Sequence, residues 1–119
     1  MRIALATFAV AALATTATAA PCNGARPPVG AQVEGHVTLV TSGSTFCLAL
    51  RNGTIAVRLA DFAACRNEAT RLNLVKIVGG KRVACTVTRR ERHAVRARCT
   101  VEGQSVARVL RYAQTCERR

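Results

Sequence analysis

Alternating apolar and polar residues predict three consecutive strands in the first half of the chain. The apolar side of the first strand carries Val33, Gly35, Val37 and Leu39. The second strand, 45–50, and the third, 54–60, continue the pattern, so we expect one side of each to face a core. Asn52-Gly53 lies between them and indicates a hairpin, since both central residues of a type I′ turn have positive φ. Arg58 then points away from the core.

Two helices are predicted from apolar residues at helical spacing. The first covers about 68–78, with Asn67 as its N-cap and two glycines, at 79 and 80, as its stop. The second is a short closing helix over 104–113.

A second hairpin is predicted from strands 82–89 and 95–101. A register in which Val87 faces Ala97 places every apolar pair on one side and sets Cys85 opposite Cys99. Facing residues of an antiparallel pair lie close enough for a disulfide, so we predict a Cys85–Cys99 bridge.

The order of elements predicts a mainly β fold with two helices (α+β). Three strands, a helix, two strands and a helix suggest a five-stranded OB-type barrel closed by a helix and stapled by disulfides. We expect this barrel domain to cover 33–116 and to follow an irregular arm over 21–32 that is rich in proline and glycine.

The first 20 residues have the pattern of a targeting segment. A basic residue, an apolar run and an A-x-A pattern fit a signal peptide over 1–20, cleaved near Ala19 or Ala20. A membrane anchor is the alternative, but the run is short for a bilayer span and rich in alanine and threonine. The expected location is therefore secreted or periplasmic, with no stable membrane span in the mature chain.

All six cysteines follow this segment, and an even count behind a secretory signal predicts up to three disulfides. Pairing stays open for Cys22, Cys47, Cys65 and Cys116, although Cys116 could fasten the tail to Cys22 or another partner. The rival interpretation is a zinc site. No pair of cysteines has C-x-x-C spacing, which disfavours zinc.

The chain carries a formal charge of +12, and sixteen of its 18 basic residues are arginine. Arginine's planar fork suits phosphate, so a polyanionic partner such as DNA or RNA is expected; a basic surface that serves only solubility is the alternative. The predicted nucleic-acid-binding residues lie on the second hairpin and are Lys81, Arg82, Arg89, Arg90, Arg92, Arg96 and Arg98. Few aromatic residues are present, which favours backbone binding over base stacking.

Two stretches resemble motifs of the staphylococcal nuclease (thermonuclease, SNase-like) family. The family reads G-x-V-x-x-V-x-D-G-D-T and R-L-x-G-I-D-A-P-E, and residues 35–45 (GHVTLVTSGST) and 58–66 (RLADFAACR) take these places. The resemblance covers about 33–113. It implies an OB-type barrel that hydrolyses phosphodiesters with Ca²⁺. In such a site carboxylates hold the Ca²⁺, a glutamate activates water and two arginines bind the phosphate.

Most of the carboxylates that the resemblance implies are replaced. Ser42 and Ser44 stand at the two D-G-D-T aspartates, Ala63 at the later aspartate and Arg66 at the glutamate. Neutral hydroxyls bind Ca²⁺ weakly, and a cation at the position of the base cannot accept a proton. We therefore expect no cofactor, with Ca²⁺ bound only if other carboxylates compensate.

The phosphate-binding arginines are partly retained. Arg58 matches the first, while the second falls near Ala94 or Val95, with Arg92 or Arg96 as displaced substitutes. Catalysis could persist if other carboxylates took over the roles of the missing acids. The candidates are Asp61 and Glu68, which flank the missing positions.

A metal-free mechanism is a further alternative. It would use His36, His93 and a lysine, either Lys76 or Lys81, to cleave RNA. The resulting hypothesis is a secreted thermonuclease-like domain with a degenerate active site that binds nucleic acid or another polyanion. An active nuclease and a non-enzymatic structural or interaction domain are its alternatives, and the oligomeric state stays open.

Overall fold

The structure is a computed structural model and describes residues 22–65 and 68–113. The predicted signal peptide, the predicted N-cap Asn67, Arg66 and Cys116 lie outside the described residues. Within them the chain forms a closed five-stranded mixed β-barrel with one extra short strand and two helices. The predicted fold class is confirmed.

The strands are β1 (Gln32–Val40), β2 (Thr45–Leu50), β3 (Gly53–Leu59), β4 (Arg82–Arg90), β5 (Val95–Val101) and β6 (Gln104–Ser105); the helices are α1 (Glu68–Val78) and α2 (Val106–Ala113). The sheet order is β3-β2-β1-β4-β5-β6, with antiparallel neighbours. A parallel pairing of β3 with β5 closes the first five strands into the barrel.

The core fills the barrel with the inward residues of every long strand. Fully buried members include Phe46, Leu48, Ile55, Val57, Val83, Val87 and Val95. Leu74 and Val78 of α1 and Leu110 of α2 join the same cluster, so both helices pack on the barrel through their apolar sides. Burial of this apolar surface is the main contribution to stability.

A bulge in β1 reverses the side to which its last residues point. The β1–β2 register shifts between Val37 and Leu39, so Val40 is buried while Leu39 is 43% exposed. The prediction that Leu39 faces the core is wrong, because one extra residue inverts the alternation of a strand.

The β2–β3 hairpin forms where Asn-Gly predicts it, but with a different turn. Leu50 pairs with Gly53, so Arg51 and Asn52 are the central residues. Glu102 is the one non-glycine residue of the described ranges with positive φ, so Asn52 does not have it. Gly53 has a φ of 141° but is the first residue of β3. The predicted type I′ turn is therefore wrong.

The helices begin and end close to prediction. The range predicted for α1 is confirmed, and α1 buries Thr70, Leu74 and Val78 on one side. The closing helix is shorter than predicted because Gln104 and Ser105 pair with β5 as β6. Ser105 Oγ then accepts a hydrogen bond from the Arg108 backbone N–H at 3.2 Å, which caps α2.

The second hairpin has the predicted register along most of its length. Cys85 faces Cys99 and Val87 faces Ala97, and the predicted Cys85–Cys99 disulfide is present with a Cα–Cα distance of 4.1 Å. Beyond Val87 the register shifts by one residue, so Arg89 rather than Thr88 faces Arg96.

The arm before β1 is attached to the barrel by a disulfide and by several hydrogen bonds. Cys22 forms a disulfide with Cys47, which rules out the suggested bridge from Cys116 to Cys22. The Gly24 N–H donates to the Thr54 carbonyl at 2.7 Å, and the Gly30 N–H donates to the Val87 carbonyl at 2.8 Å. Because Cys47 points outward from β2 yet is buried, the arm covers the outer side of the barrel there.

Candidate functional site

A cleft of about 440 Å³ opens where the β1–β2 loop meets β3 and the start of α1. Its lining combines hydroxyl side chains with charged ones: Thr41, Ser42, Ser44, Thr45, Arg58, Glu68 and Arg71. Ser42, Ser44 and Arg58, which the sequence comparison of motifs singled out, all line this cleft.

Gly43 allows the β1–β2 loop to lie against the first turn of α1. A Cβ atom at Gly43 would lie 2.5 Å from Thr70 Oγ1 and 2.8 Å from Ala64 Cβ. Both contacts are too short for carbon, so a side chain at this position would push the loop away from the helix. The loop also bonds to itself, since the Thr41 N–H donates to the Thr45 carbonyl at 3.0 Å.

The carboxylate in the cleft is bound to an arginine of the same helix. Arg71 Nε lies 3.1 Å from both carboxylate oxygens of Glu68, and Arg71 Nη2 lies 2.5 Å from Glu68 Oε2. These hydrogen bonds lower the pKa of Glu68 and raise the pKa of Arg71. The hydrogen bonds thus favour the ionised form of Glu68 and make its carboxylate a weaker proton acceptor than a free glutamate.

The residues of the cleft do not fit Ca²⁺. Ser42 and Ser44 offer neutral hydroxyls, Glu68 is engaged by Arg71, and Arg58 adds a second cation to the same lining. In the described part of the chain, no group of three His, Cys, Asp or Glu side chains could hold a metal ion. Hard cations need several oxygen ligands with negative charge, which this lining does not supply.

Asp61 lies elsewhere. Its Oδ2 accepts a hydrogen bond from Arg98 Nε at 3.0 Å, and its carbonyl accepts one from Arg111 at 2.8 Å. It lines a smaller cavity, of about 180 Å³, beside β5 and the start of α2. The structure thus does not bring Asp61 and Glu68 to one site, as compensated catalysis would require.

Three arginines form a row on the outer side of the barrel, and we call Arg58, Arg96 and Arg89 the arginine row. Arg58 faces Arg96 across the parallel β3–β5 pairing, and Arg96 faces Arg89 across the β5–β4 pairing. Of the two suggested substitutes for the second phosphate-binding arginine, Arg96 is thus the one beside Arg58. Arg92 lines a separate cavity between the arm and the β4–β5 turn.

Glu91 is the one described acidic side chain that contacts the arginine row. Arg96 Nε lies 2.5 Å from Glu91 Oε2, and Arg58 Nε lies 3.9 Å from Glu91 Oε1. The hydrogen bond from Arg96 lowers the pKa of Glu91, and the charges of Arg96, Arg58 and Arg89 lower it further. Arg26 of the arm also donates to the Glu91 carbonyl oxygen.

The other predicted nucleic-acid-binding residues divide into two groups. Lys81, Arg82 and Arg98 form ion pairs, with Glu102, Glu34 and Asp61 respectively. Arg90 and Arg92 are exposed and lie in no ion pair within the described ranges. These ranges hold fourteen basic and five acidic residues, so the surface stays strongly positive even though each acid has a basic partner.

The two histidines lie apart. His36 is exposed on β1, opposite Ala49 and Arg82 in the ladders. His93 lies in the β4–β5 turn and lines a cavity with Cys22 and neighbouring residues of the arm. His36 thus pairs with the first residue of β4, whereas His93 follows its last residue, so the set proposed for metal-free catalysis does not converge.

Sequence reasoning missed Arg71, Glu91 and Arg26. The i, i+3 spacing of Glu68 and Arg71 on a predicted helix could have suggested their ion pair. Their place in the cleft depends on how α1 packs against the β1–β2 loop. The bond from Arg26 to Glu91 joins residues 65 positions apart, which no local pattern reveals.

No helix in the described ranges is long and apolar enough to cross a membrane. Comparison with known proteins adds no relative: no protein-family model and no curated protein matches the chain.

Proposed function

We propose that this chain is a thermonuclease-like domain that binds nucleic acid or another polyanion and has lost the hydrolytic site of that family. The observation that carries the proposal is the arginine row, which begins at the hydroxyl-lined cleft with Arg58 and continues across β5 to β4. The cleft and the row together form one path of phosphate-binding groups.

The chemistry of the row suits a phosphate backbone. Guanidinium groups donate two parallel hydrogen bonds to phosphate, and side chains on neighbouring strands lie about 5 Å apart. OB-type barrels bind oligonucleotides on the outer side of strands two and three and on the adjoining loops. Arg58 lies on that side of β3, at the end next to the β1–β2 loop.

Loss of hydrolysis follows from the same residues. Arg58 and Arg71 place two positive charges beside Ser42 and Ser44, where the family holds a cation. Glu68 is bound by Arg71 and cannot readily accept a proton from water. Phosphate is thus expected to bind without being attacked.

The aromatic residues favour binding to the backbone over stacking on bases. Phe46 is fully buried, and Phe62 packs against the core. Tyr112 is 84% exposed and lies near the end of α2, where it is the one exposed aromatic side chain of the described ranges. We therefore expect affinity with little sequence preference.

Export remains part of the proposal. The signal-peptide pattern of residues 1–20 is supported by the disulfides Cys22–Cys47 and Cys85–Cys99, since such bridges persist in oxidising compartments. A secreted or periplasmic protein would meet nucleic acid released from cells, as well as other polyanions.

Incubation of the oxidised protein with single-stranded DNA and with RNA, in Ca²⁺ and in chelator, tests this proposal. Binding that falls with salt, without cleavage, is the expected result. Cleavage that the chelator abolishes would contradict the loss of the metal site, and cleavage in chelator would implicate the histidines. Absence of binding at low salt would leave a structural or interaction domain.

A further inference from the structure

We infer that the arginine row is a phosphodiester site in which the Glu91 carboxylate is a resident competitor, displaced when single-stranded nucleic acid binds. The inference rests on the proposed function and names the subsite within it. It assigns Glu91 a role in controlling affinity, in addition to holding the row together.

The carboxylate lies where a phosphate would be bound. One oxygen of Glu91 accepts a hydrogen bond from Arg96, and the other lies 3.9 Å from Arg58. A phosphodiester also presents two charged oxygens, and two neighbouring guanidinium groups can each take one. The site therefore contains an anion supplied by the protein itself.

The side chain of Glu91 can leave without moving the backbone. The Glu91 N–H donates to the Ala94 carbonyl at 2.8 Å, and Arg26 donates to the Glu91 carbonyl. Both contacts involve main-chain atoms and would persist after the carboxylate swings out. Rotation about side-chain bonds is then the whole structural change that binding requires.

Several features make a phosphodiester a stronger occupant than Glu91. Both contacts with Glu91 use only Nε of the two arginines, and no other acceptor within the described ranges bonds to their remaining N–H groups. Arg58 is about half exposed, so a ligand can reach it. Exposed Arg90 and Arg92 nearby favour a polymer, because neighbouring phosphates of one strand can be bound together.

Two variants of Glu91 separate this competition from a general effect of charge. Glu91→Gln removes the competing charge, and Glu91→Asp keeps the charge but shortens its reach. Glu102→Gln is the matched control, since it removes one negative charge at a 3.9 Å ion pair with Lys81. Affinity for a labelled oligo(dT) of about ten nucleotides, within the span of one OB fold, is measured by fluorescence anisotropy at low salt.

We expect Glu91→Gln to bind the oligonucleotide about tenfold more tightly than the wild type. The affinity of Glu102→Gln should rise by about twofold or less. Glu91→Asp should also bind more tightly, although its net charge is unchanged. Circular dichroism checks that each variant is folded. If Glu91→Gln does not fold, the comparison of Glu91→Asp with the wild type tests the inference.

Equal gains for Glu91→Gln and Glu102→Gln, with none for Glu91→Asp, would overturn the inference. Binding by the wild type would in that case still support the proposed function. Binding by Glu91→Gln but not by the wild type would also overturn the inference, because the nucleic acid would then fail to displace the Glu91 carboxylate. If no variant binds, the proposed function and the inference both fail.

Discussion

At the scale of single residues, ion pairs and one glycine determine the chemistry of the cleft and of the arginine row. Glu68 and Glu91 each have a lowered pKa because an arginine donates hydrogen bonds to them. Both are consequently charged partners and poor general bases. Gly43 determines whether the β1–β2 loop, which carries Ser42 and Ser44, can lie against α1.

Replacement of Glu91 is expected to change the pH dependence of stability. The folded-state pKa of Glu91 lies below its unfolded value, so its contribution is present above the unfolded pKa and is lost as the pH falls through the folded one. Glu91→Gln should lower the free energy of unfolding by about 1 kcal/mol at neutral pH. The difference from wild type should vanish in strong acid.

Urea denaturation over a range of pH measures this difference. Glu102→Gln is again the control, and we expect it to be close to wild type at neutral pH because its ion pair is long and exposed. A difference for Glu91→Gln that stays constant into strong acid would show that its electrostatic contacts do not stabilise the fold.

Gly43→Ala tests the packing of the loop. The added methyl group would contact Thr70 Oγ1 and Ala64 Cβ too closely, so we expect a loss of about 1–3 kcal/mol in the free energy of unfolding. Ser44→Ala in the same loop adds no atoms and should cost about 0.5 kcal/mol or less. Equal denaturation midpoints for wild type and Gly43→Ala would contradict the close contact.

At the scale of elements, regular segments are predictable and their irregularities are not. One apolar side per strand set the register that joins Cys85 to Cys99, because any one-residue slip would turn that side outward. The bulges after Val37 and Val87 have no comparable signal. The second bulge matters for the site, since it is what sets Arg89 opposite Arg96.

Disulfide connectivity tests the arrangement of elements. Peptide mapping without reduction should recover Cys22 joined to Cys47, Cys85 joined to Cys99, and Cys65 in a further bridge. Replacing Cys22 and Cys47 by alanine should lower stability by about 3 kcal/mol, because that bridge spans 25 residues. Any peptide that joins Cys85 to a cysteine other than Cys99 would contradict the hairpin register.

At the scale of the whole molecule, barrel closure brings together residues that are distant in the sequence. Arg58 and Arg96 were identified from the sequence as candidates, but their adjacency depends on the parallel pairing of β3 with β5. The contact of Glu91 with Arg58 depends on the same closure. Residue types could thus be predicted, whereas their convergence required the fold.

The most direct measurement of the central claim compares how salt weakens oligonucleotide binding by two double variants with equal loss of charge. Arg58→Gln/Arg96→Gln removes two members of the arginine row, and Arg51→Gln/Arg108→Gln removes two exposed arginines outside it. The row variant should lose at least about tenfold in affinity, and its slope of log K against log salt should be shallower by about 1.4. Equal losses of affinity and slope in both variants would contradict a specific site at the arginine row.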